Sequence, residues 1–308
     1  MKWHEIIQKY FGLIFFASMA AGFFFPEVFR PLSDYTYIVL GCIITVSFLT
    51  LDYRKFGHTI KQFYIPVGVF IAYKLLIPAG LYVLLSFWDR NIALAALLLA
   101  ATPVGMITPA LSQLIGADRE FVLSIVVITS FASPFYLPFF IKLIAGAYIS
   151  VNPVSMMFSL IKLIFIPLAV SLIIRRWGKR VIEKTGHFHS SVSVLLLILV
   201  LLGIMAEGAE HIRENWTESL TYLVISVAFC AVLAGLGFGL FWFLSKEKRY
   251  GLAVSVPYMN LAMSIVLAAA YFRPEVLLFC LMYEVPANLL PVLLRGVKRP
   301  SEKVHTPK

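Results

Sequence analysis

Apolar runs of about twenty residues recur from one end of this 308-residue chain to the other, and that restricts it to a structure that lives in lipid. A single water-soluble core could not bury them all. Nor is there polar material for a wetted surface, since 14% of the residues are charged where a soluble domain carries roughly a quarter. Ten spans are expected, near residues 10–26, 37–51, 65–87, 92–115, 120–145, 153–175, 189–209, 219–244, 250–272 and 275–296. The connections between them are short, and no soluble domain is expected. The first run, from Tyr10 to Phe25 and Pro26, lacks a small-residue cleavage site and reads as a span rather than a removable signal. Cys42, Cys230 and Cys280 all fall inside apolar runs, at spacings that suit no metal. They read as small buried apolar side chains.

The net charge of +10 is a topology signal rather than a nucleic-acid footprint. With the N-terminus placed in the cytoplasm, nineteen of the 26 lysines and arginines fall on that side, including Arg119 and the Arg175–Lys184 group. Arg30, Arg90, Arg213 and Arg273 fall on the other. The asymmetry predicts a multi-pass protein of the cell (inner or plasma) membrane with both termini cytoplasmic. Lys142 and Lys162 lie near a membrane face and reach it by snorkelling. Lys74 and Glu284 lie deeper, where a charge needs a reason. Glu207, Glu210, Glu214 and Glu218 read as a solvated face. The six histidines fall at or near membrane faces, no metal site is expected, and no catalytic constellation or nucleotide-binding motif is visible, so an enzyme is not expected.

Ten spans divide into two sets of five, and an odd number per half inverts the second half relative to the first. Internal evidence for such a repeat comes from the fourth span, which carries Thr102, Pro103, Gly105, Thr108 and Pro109, and from the ninth, which carries Ser255, Pro257 and Asn260. Proline removes a helical hydrogen bond and clashes with the preceding turn. Backbone freed at membrane depth is tolerated only against protein or a watery cavity. Matched breaks in the two halves point to a transporter's binding site, with 103–109 and 254–260 expected to be non-helical and to cross near the midplane.

These residues resemble the bile acid:sodium symporter family over nearly the whole chain. The resemblance is carried by Leu49–Phe56 with Ile77-Pro78, Pro103-Val104-Gly105, Ser133-Pro134 with Pro138, Leu267–Phe272 and Asn288. It implies an all-α polytopic membrane protein of ten helices in two inverted five-helix repeats, at residues 1–148 and 149–298, with a cytoplasmic tail at 299–308. Helices 4 and 9 would be broken and would cross in a core domain. A panel domain would come from the first two helices of each repeat, with substrate in the cleft between core and panel. Where the family places sodium ligands, this chain has Thr108, Pro109, Val122, Val126, Ser255 and Met259, with Asn260 retained and Tyr73 in place of a third-span glutamine. Methionine and valine offer a hard cation no oxygen, so the two sodium sites are not expected to be used.

The candidate substrate-binding residues are Thr102, Thr108, Ser255, Asn260 and Asn288. Their polar groups either line a cavity beside half-helix ends or satisfy backbone freed by Pro103, Pro109 and Pro257. Lys74, beside Tyr73, is either a fixed ammonium standing in for the sodium charge or a lysine at a domain interface. Glu284 is a partner for Lys74, a proton-coupling group, a substrate contact or a structural acceptor. The function expected is secondary active transport of an organic anion or similar small amphipathic solute by alternating access, with no cofactor. The alternatives are a sodium-independent or proton-linked carrier or exporter of auxin-efflux-like logic, and a non-transporting receptor on the same scaffold. The expected partners are a small-molecule substrate and the lipid bilayer.

Overall fold

A computed structural model describes residues 11–50, 64–146 and 152–297. Lys2, Lys9, the basic loop with Arg54, Lys55 and Lys61, most of the Leu49–Phe56 motif and the tail at 299–308 lie outside the described residues. The described chain is all helix: α1 (Phe11–Phe24), α2 (Thr36–Thr50), α3 (Tyr64–Ser86), α4 (Arg90–Ala101), α5 (Thr108–Leu114), α6 (Arg119–Ala145), α7 (Pro153–Gly178), α8 (Ser191–Glu214), α9 (Trp216–Gly239), α10 (Lys246–Ser255), α11 (Leu261–Tyr271) and α12 (Pro274–Val297). A short helix at Pro26–Phe29 and a 3-10 turn at Arg30–Tyr35 link α1 to α2. Helical backbone also joins α7 to α8 and breaks its geometry at Gly178, where φ is −109° and ψ 21°.

Among the described residues six segments are long and apolar enough to cross a membrane alone: Pro26–Leu49, α3, α6, α7, α8 and α9. The fold is therefore that of a polytopic membrane protein. The fourth and ninth expected spans are each divided, into α4 with α5 and α10 with α11. The non-helical stretches are shorter than expected, because Thr108 and Pro109 already begin α5 and α10 continues to Ser255.

The helix starts are set by side-chain caps. Asp89 accepts from the Ile92 amide, Asp118 from Phe121, Asn152 from Val154 and Ser155, and Asn260 from Met263. The prolines of α6, Pro134 and Pro138, are absorbed into one helix of 27 residues.

Two groups of helices face one another. In the first, α1 and α2 pack on α7 and α8. Tyr37 donates to the Ser159 carbonyl at 2.7 Å, Arg175 to the last turn of α2 at Leu49 O (2.7 Å), and Arg213 to the end of α1 at Phe23 O (2.6 Å). Cations at helix C-termini complement both the free carbonyls and the dipole. The second group surrounds α4, whose residues Ile92–Ala101 are all buried. Lipid tails are as apolar as leucine, so this core is held by packing rather than by flight from water. Ala93, Ala95, Ala96, Ala100 and Ala101 let the neighbouring backbones approach closely. Cys230 and Cys280 are buried as expected, but Cys42 is exposed on the outer side of α2. Its apolar run is a lipid-facing helix, and in lipid an apolar residue gains nothing by pointing inward. Lys142 and Lys162 are exposed.

Candidate functional site

The two helix breaks meet. Val104 and Met259 form an isolated antiparallel bridge, with the Gly105 amide donating to Tyr258 O at 3.0 Å and the Asn260 amide to Pro103 O at 2.7 Å. Each break thus supplies donors and acceptors that the other lacks, which allows buried irregular backbone at this depth. Glycine is required at 105: a Cβ there would stand 2.9 Å from Met259 O and 3.0 Å from the Tyr258 ring. Side chains settle the remaining carbonyls of the first break. Thr102 Oγ1 donates to Leu99 O and shares a 2.8 Å bond with Ser264, Lys74 Nζ donates to Ala100 O at 3.1 Å, and the Tyr136 hydroxyl donates to Ala101 O. Thr129 accepts from the Val104 amide at 3.1 Å. On the second break, Tyr283 donates to Pro257 O at 2.8 Å and Thr108 to Tyr258 O at 3.4 Å.

A cavity of about 530 Å³ lies against this bridge. One wall is the crossing itself, at Gly105, Met106, Ile107 and Tyr258–Ala262; the facing wall comes from α2 and α8 and is mostly apolar, at Leu40, Ile43, Ile44 and Leu197, with Ser47 and Ser193 its polar members; Arg119 and His189 stand toward the end where basic residues collect. Glu284 and Asn288, one turn apart on α12, complete it. Asn288 Nδ2 donates to Glu284 Oε2 at 2.9 Å and to Glu284 O at 2.8 Å, while its Oδ1 accepts from the Tyr258 hydroxyl at 2.8 Å. Asn288 therefore ties the second break to the carboxylate, with Glu284 only 3% exposed.

A second cavity, about 290 Å³, is built from the same helices at their opposite ends. On α2 the residues change from Leu40–Leu49 to Thr36 and Tyr37, and on α8 from Ser193 and Leu197 to Ile204–Gly208. On α11 they change from Leu261 and Ala262 to Ile265–Ala270, and on α12 from Glu284 and Asn288 to Leu277 and Leu281. The bridged breaks lie on the wall of the first cavity and are absent from the second.

Of the candidate substrate residues, Asn260 and Asn288 line the larger cavity. Thr102, Thr108 and Ser255 do not. Their hydroxyls bond backbone carbonyls, Ser255 reaching Gly251 O at 2.6 Å. Tyr73 donates to Leu236 O of α9 at 2.8 Å. Lys74 and Glu284 are not brought together, since Lys74 faces a separate small void whereas Glu284 faces the large cavity. Pro109 opens α5, and Pro103 and Pro257 lend their carbonyls to the crossing. The acidic face at the end of α8 is exposed at Glu207, Glu210 and Glu214, and Glu207 also borders the second cavity. Met106, Ile107 and Tyr258 lie within the expected breaks without having been named as candidates, and Arg119 and His189 line the cavity from outside them. Asn260 three residues before Met263 was the one available signal of a helix restarting beside the cavity.

Among the described residues no group of histidines, cysteines and carboxylates is placed to hold a metal. The chemistry on offer is reversible binding in a cleft between two helix groups. Comparison with known proteins agrees with that reading. A curated protein of Bacillus subtilis (strain 168) named "Uncharacterized sodium-dependent transporter YocS" is 24% identical over 273 residues, which cover 86% of this chain and 83% of that one. A family model described as "Sodium Bile acid symporter family" matches residues 37–215, from α2 through the first break to the end of α8. That match takes in more than half of the chain, which therefore belongs to the sodium bile acid symporter family, a family of transporters and not of enzymes.

Proposed function

We propose that the chain is a secondary active carrier of a small amphipathic organic anion, working by alternating access at the bridged breaks. The observation that carries this reading is the pair of cavities that share α2, α8, α11 and α12 and divide them end from end. Rocking α1, α2, α7 and α8 as a panel against a core built on α4 would close one cavity as the other opens. The bridge hydrogen bonds and the Tyr258–Asn288–Glu284 chain keep the core wall rigid through that movement. This is the ten-span, inverted-repeat architecture, with repeats at 1–148 and 149–298, in which the half-helices complete the fourth and ninth spans.

The larger cavity, at about 530 Å³, falls within the roughly 300–1,000 Å³ of small-molecule sites. Its mostly apolar panel wall suits a hydrocarbon body. Its core wall presents the first turn of α11, where the positive end of the helix dipole favours an anion. With the basic side taken as cytoplasmic, Arg119 and His189 make the larger cavity the inward-facing one in this reading.

The test is uptake of radiolabelled organic monoanions of graded size into vesicles containing the purified protein. Sodium and choline gradients should be compared, since the names of the family and of the Bacillus subtilis relative both carry sodium. Saturable uptake of an amphipathic anion, blocked by Ile107→Trp in the cavity wall, is expected. Failure of every anion, with saturable uptake of a cation or neutral solute instead, would overturn the substrate class.

A further inference from the structure

Lys74 is 1% exposed, and its ammonium donates to Ala100 O, in the last turn of α4. No carboxylate among the described residues stands within ion-pair distance of it. An ammonium buried without a counter-ion is costly, so something else must offset its charge. The surroundings show what does. The void beside Lys74 is lined by Tyr73, Val104, Thr129, Leu252, Ser255 and Val256. It therefore touches the C-terminal end of α10 as well as the start of the first break, while the ammonium itself bonds the end of α4. The C-terminal end of α4 thus bonds the ammonium and that of α10 borders the same void, each carrying the negative end of a helix dipole.

Two further observations mark the spot. The residue sits on a π-helical turn, Ala72–Leu76, in the middle of α3, a local widening that is frequent at functional sites. The void is only about 10 Å³ and mostly apolar, at Val69, Val104, Ile125, Leu252 and Val256, and the hydroxyls of Tyr73, Thr129 and Ser255 on its wall each donate to a backbone carbonyl. A hard cation wants about five or six oxygens, which this lining does not offer.

We infer that Lys74 is a tethered cation: its ammonium occupies the place where broken-helix carriers hold a travelling cation, so this carrier's core is complete without sodium. The inference rests on the broken-helix carrier reading, but its test needs no substrate. The purified protein is melted in sodium chloride, lithium chloride and choline chloride at equal ionic strength, alongside Lys74→Met and Lys74→Arg. Superimposable wild-type curves are expected, because a ligand that binds the folded state alone must raise the melting temperature. Lys74→Met should melt well below the wild type and Lys74→Arg closer to it. Methionine keeps the length and removes the charge together with its bond to Ala100 O, whereas arginine keeps a cation. Saturable stabilisation of the wild type by sodium overturns the inference, and so does Lys74→Met melting at or above the wild type. Should Lys74→Met fail to fold, the wild-type salt comparison decides alone. A protein that carried none of the anions tested would leave these melting results standing.

Discussion

Gly105→Ala is the sharpest probe of the crossing. The added methyl would stand 2.9 Å from Met259 O and 3.0 Å from the nearest Tyr258 ring carbon, against ordinary contacts of 3.4 Å or more. One side must therefore retreat by about half an ångström. Neither can do so freely. Met259 O belongs to the bridge itself, and the Tyr258 ring is pinned through its hydroxyl to Asn288 at 2.8 Å. The retreat is thus taken from the two bridging hydrogen bonds, at 3.0 and 2.7 Å. Leaving one buried amide unpaired costs about 1–3 kcal/mol, and overpacking adds a comparable strain, so a loss of about 2–4 kcal/mol is expected. At about 2 °C or more per kcal/mol for a large chain, thermal unfolding in detergent should fall by at least about 4 °C. Gly80→Ala is the control, because its Cβ meets nothing within 4 Å and it lies inside α3. Removing a helical glycine there should gain about 0.5–1 kcal/mol. If Gly105→Ala melts with the wild type while its helical content is intact, the close bridge between the breaks is not a feature of the folded protein.

Asn288→Ala strips the Tyr258 hydroxyl and the Glu284 carboxylate of a partner at once. It should cost about 2–4 kcal/mol by thermal unfolding, more than Asn288→Asp if the retained oxygen still accepts from Tyr258. Equal loss in both variants would show that the tyrosine bond contributes little. For the orientation, single cysteines at the exposed Arg119 and Arg273 are treated with a membrane-impermeant maleimide in intact cells. Arg273→Cys should label directly and Arg119→Cys only after permeabilisation, and the reverse pattern would invert the topology.

The spans were legible because a twenty-residue apolar run has few other uses, and the breaks because proline leaves a mark that no neighbour can hide. What each polar group does near a break was not legible. A span that is apolar all round carries no helical phase, so depth can be read from it but direction cannot. Lys74 and Glu284 were recognised as buried, yet nothing in their spacing told that one faces α4 and the other the cavity. The same blindness left Thr102, Thr108 and Ser255 undecided between substrate and backbone, and their hydroxyls bond carbonyls and Ser264. Tyr258 falls within the expected second break, but Arg119 at the start of α6 and His189 just before α8 line the cavity through tertiary approach, for which the sequence offers no local sign.

An interrupted helix leaves carbonyls at one stump and amides at the next, and the two kinds are treated differently here. The carbonyl stumps of the first break are sealed inside protein: Leu99 O by Thr102, Ala100 O by Lys74, Ala101 O by Tyr136. None of those three side chains lines the larger cavity. The residues that do line it belong to the other end of each break, at Met106 and Ile107 before α5 and at Asn260–Ala262 where α11 begins. The fold thus turns its negative helix ends inward onto a lysine and its positive helix ends outward toward the solute. Such a division favours an anionic substrate with no buried basic side chain at the crossing wall. It also accounts for the place of Lys74 behind the bridge, where an ammonium balances carbonyls and does not compete for the solute's charge.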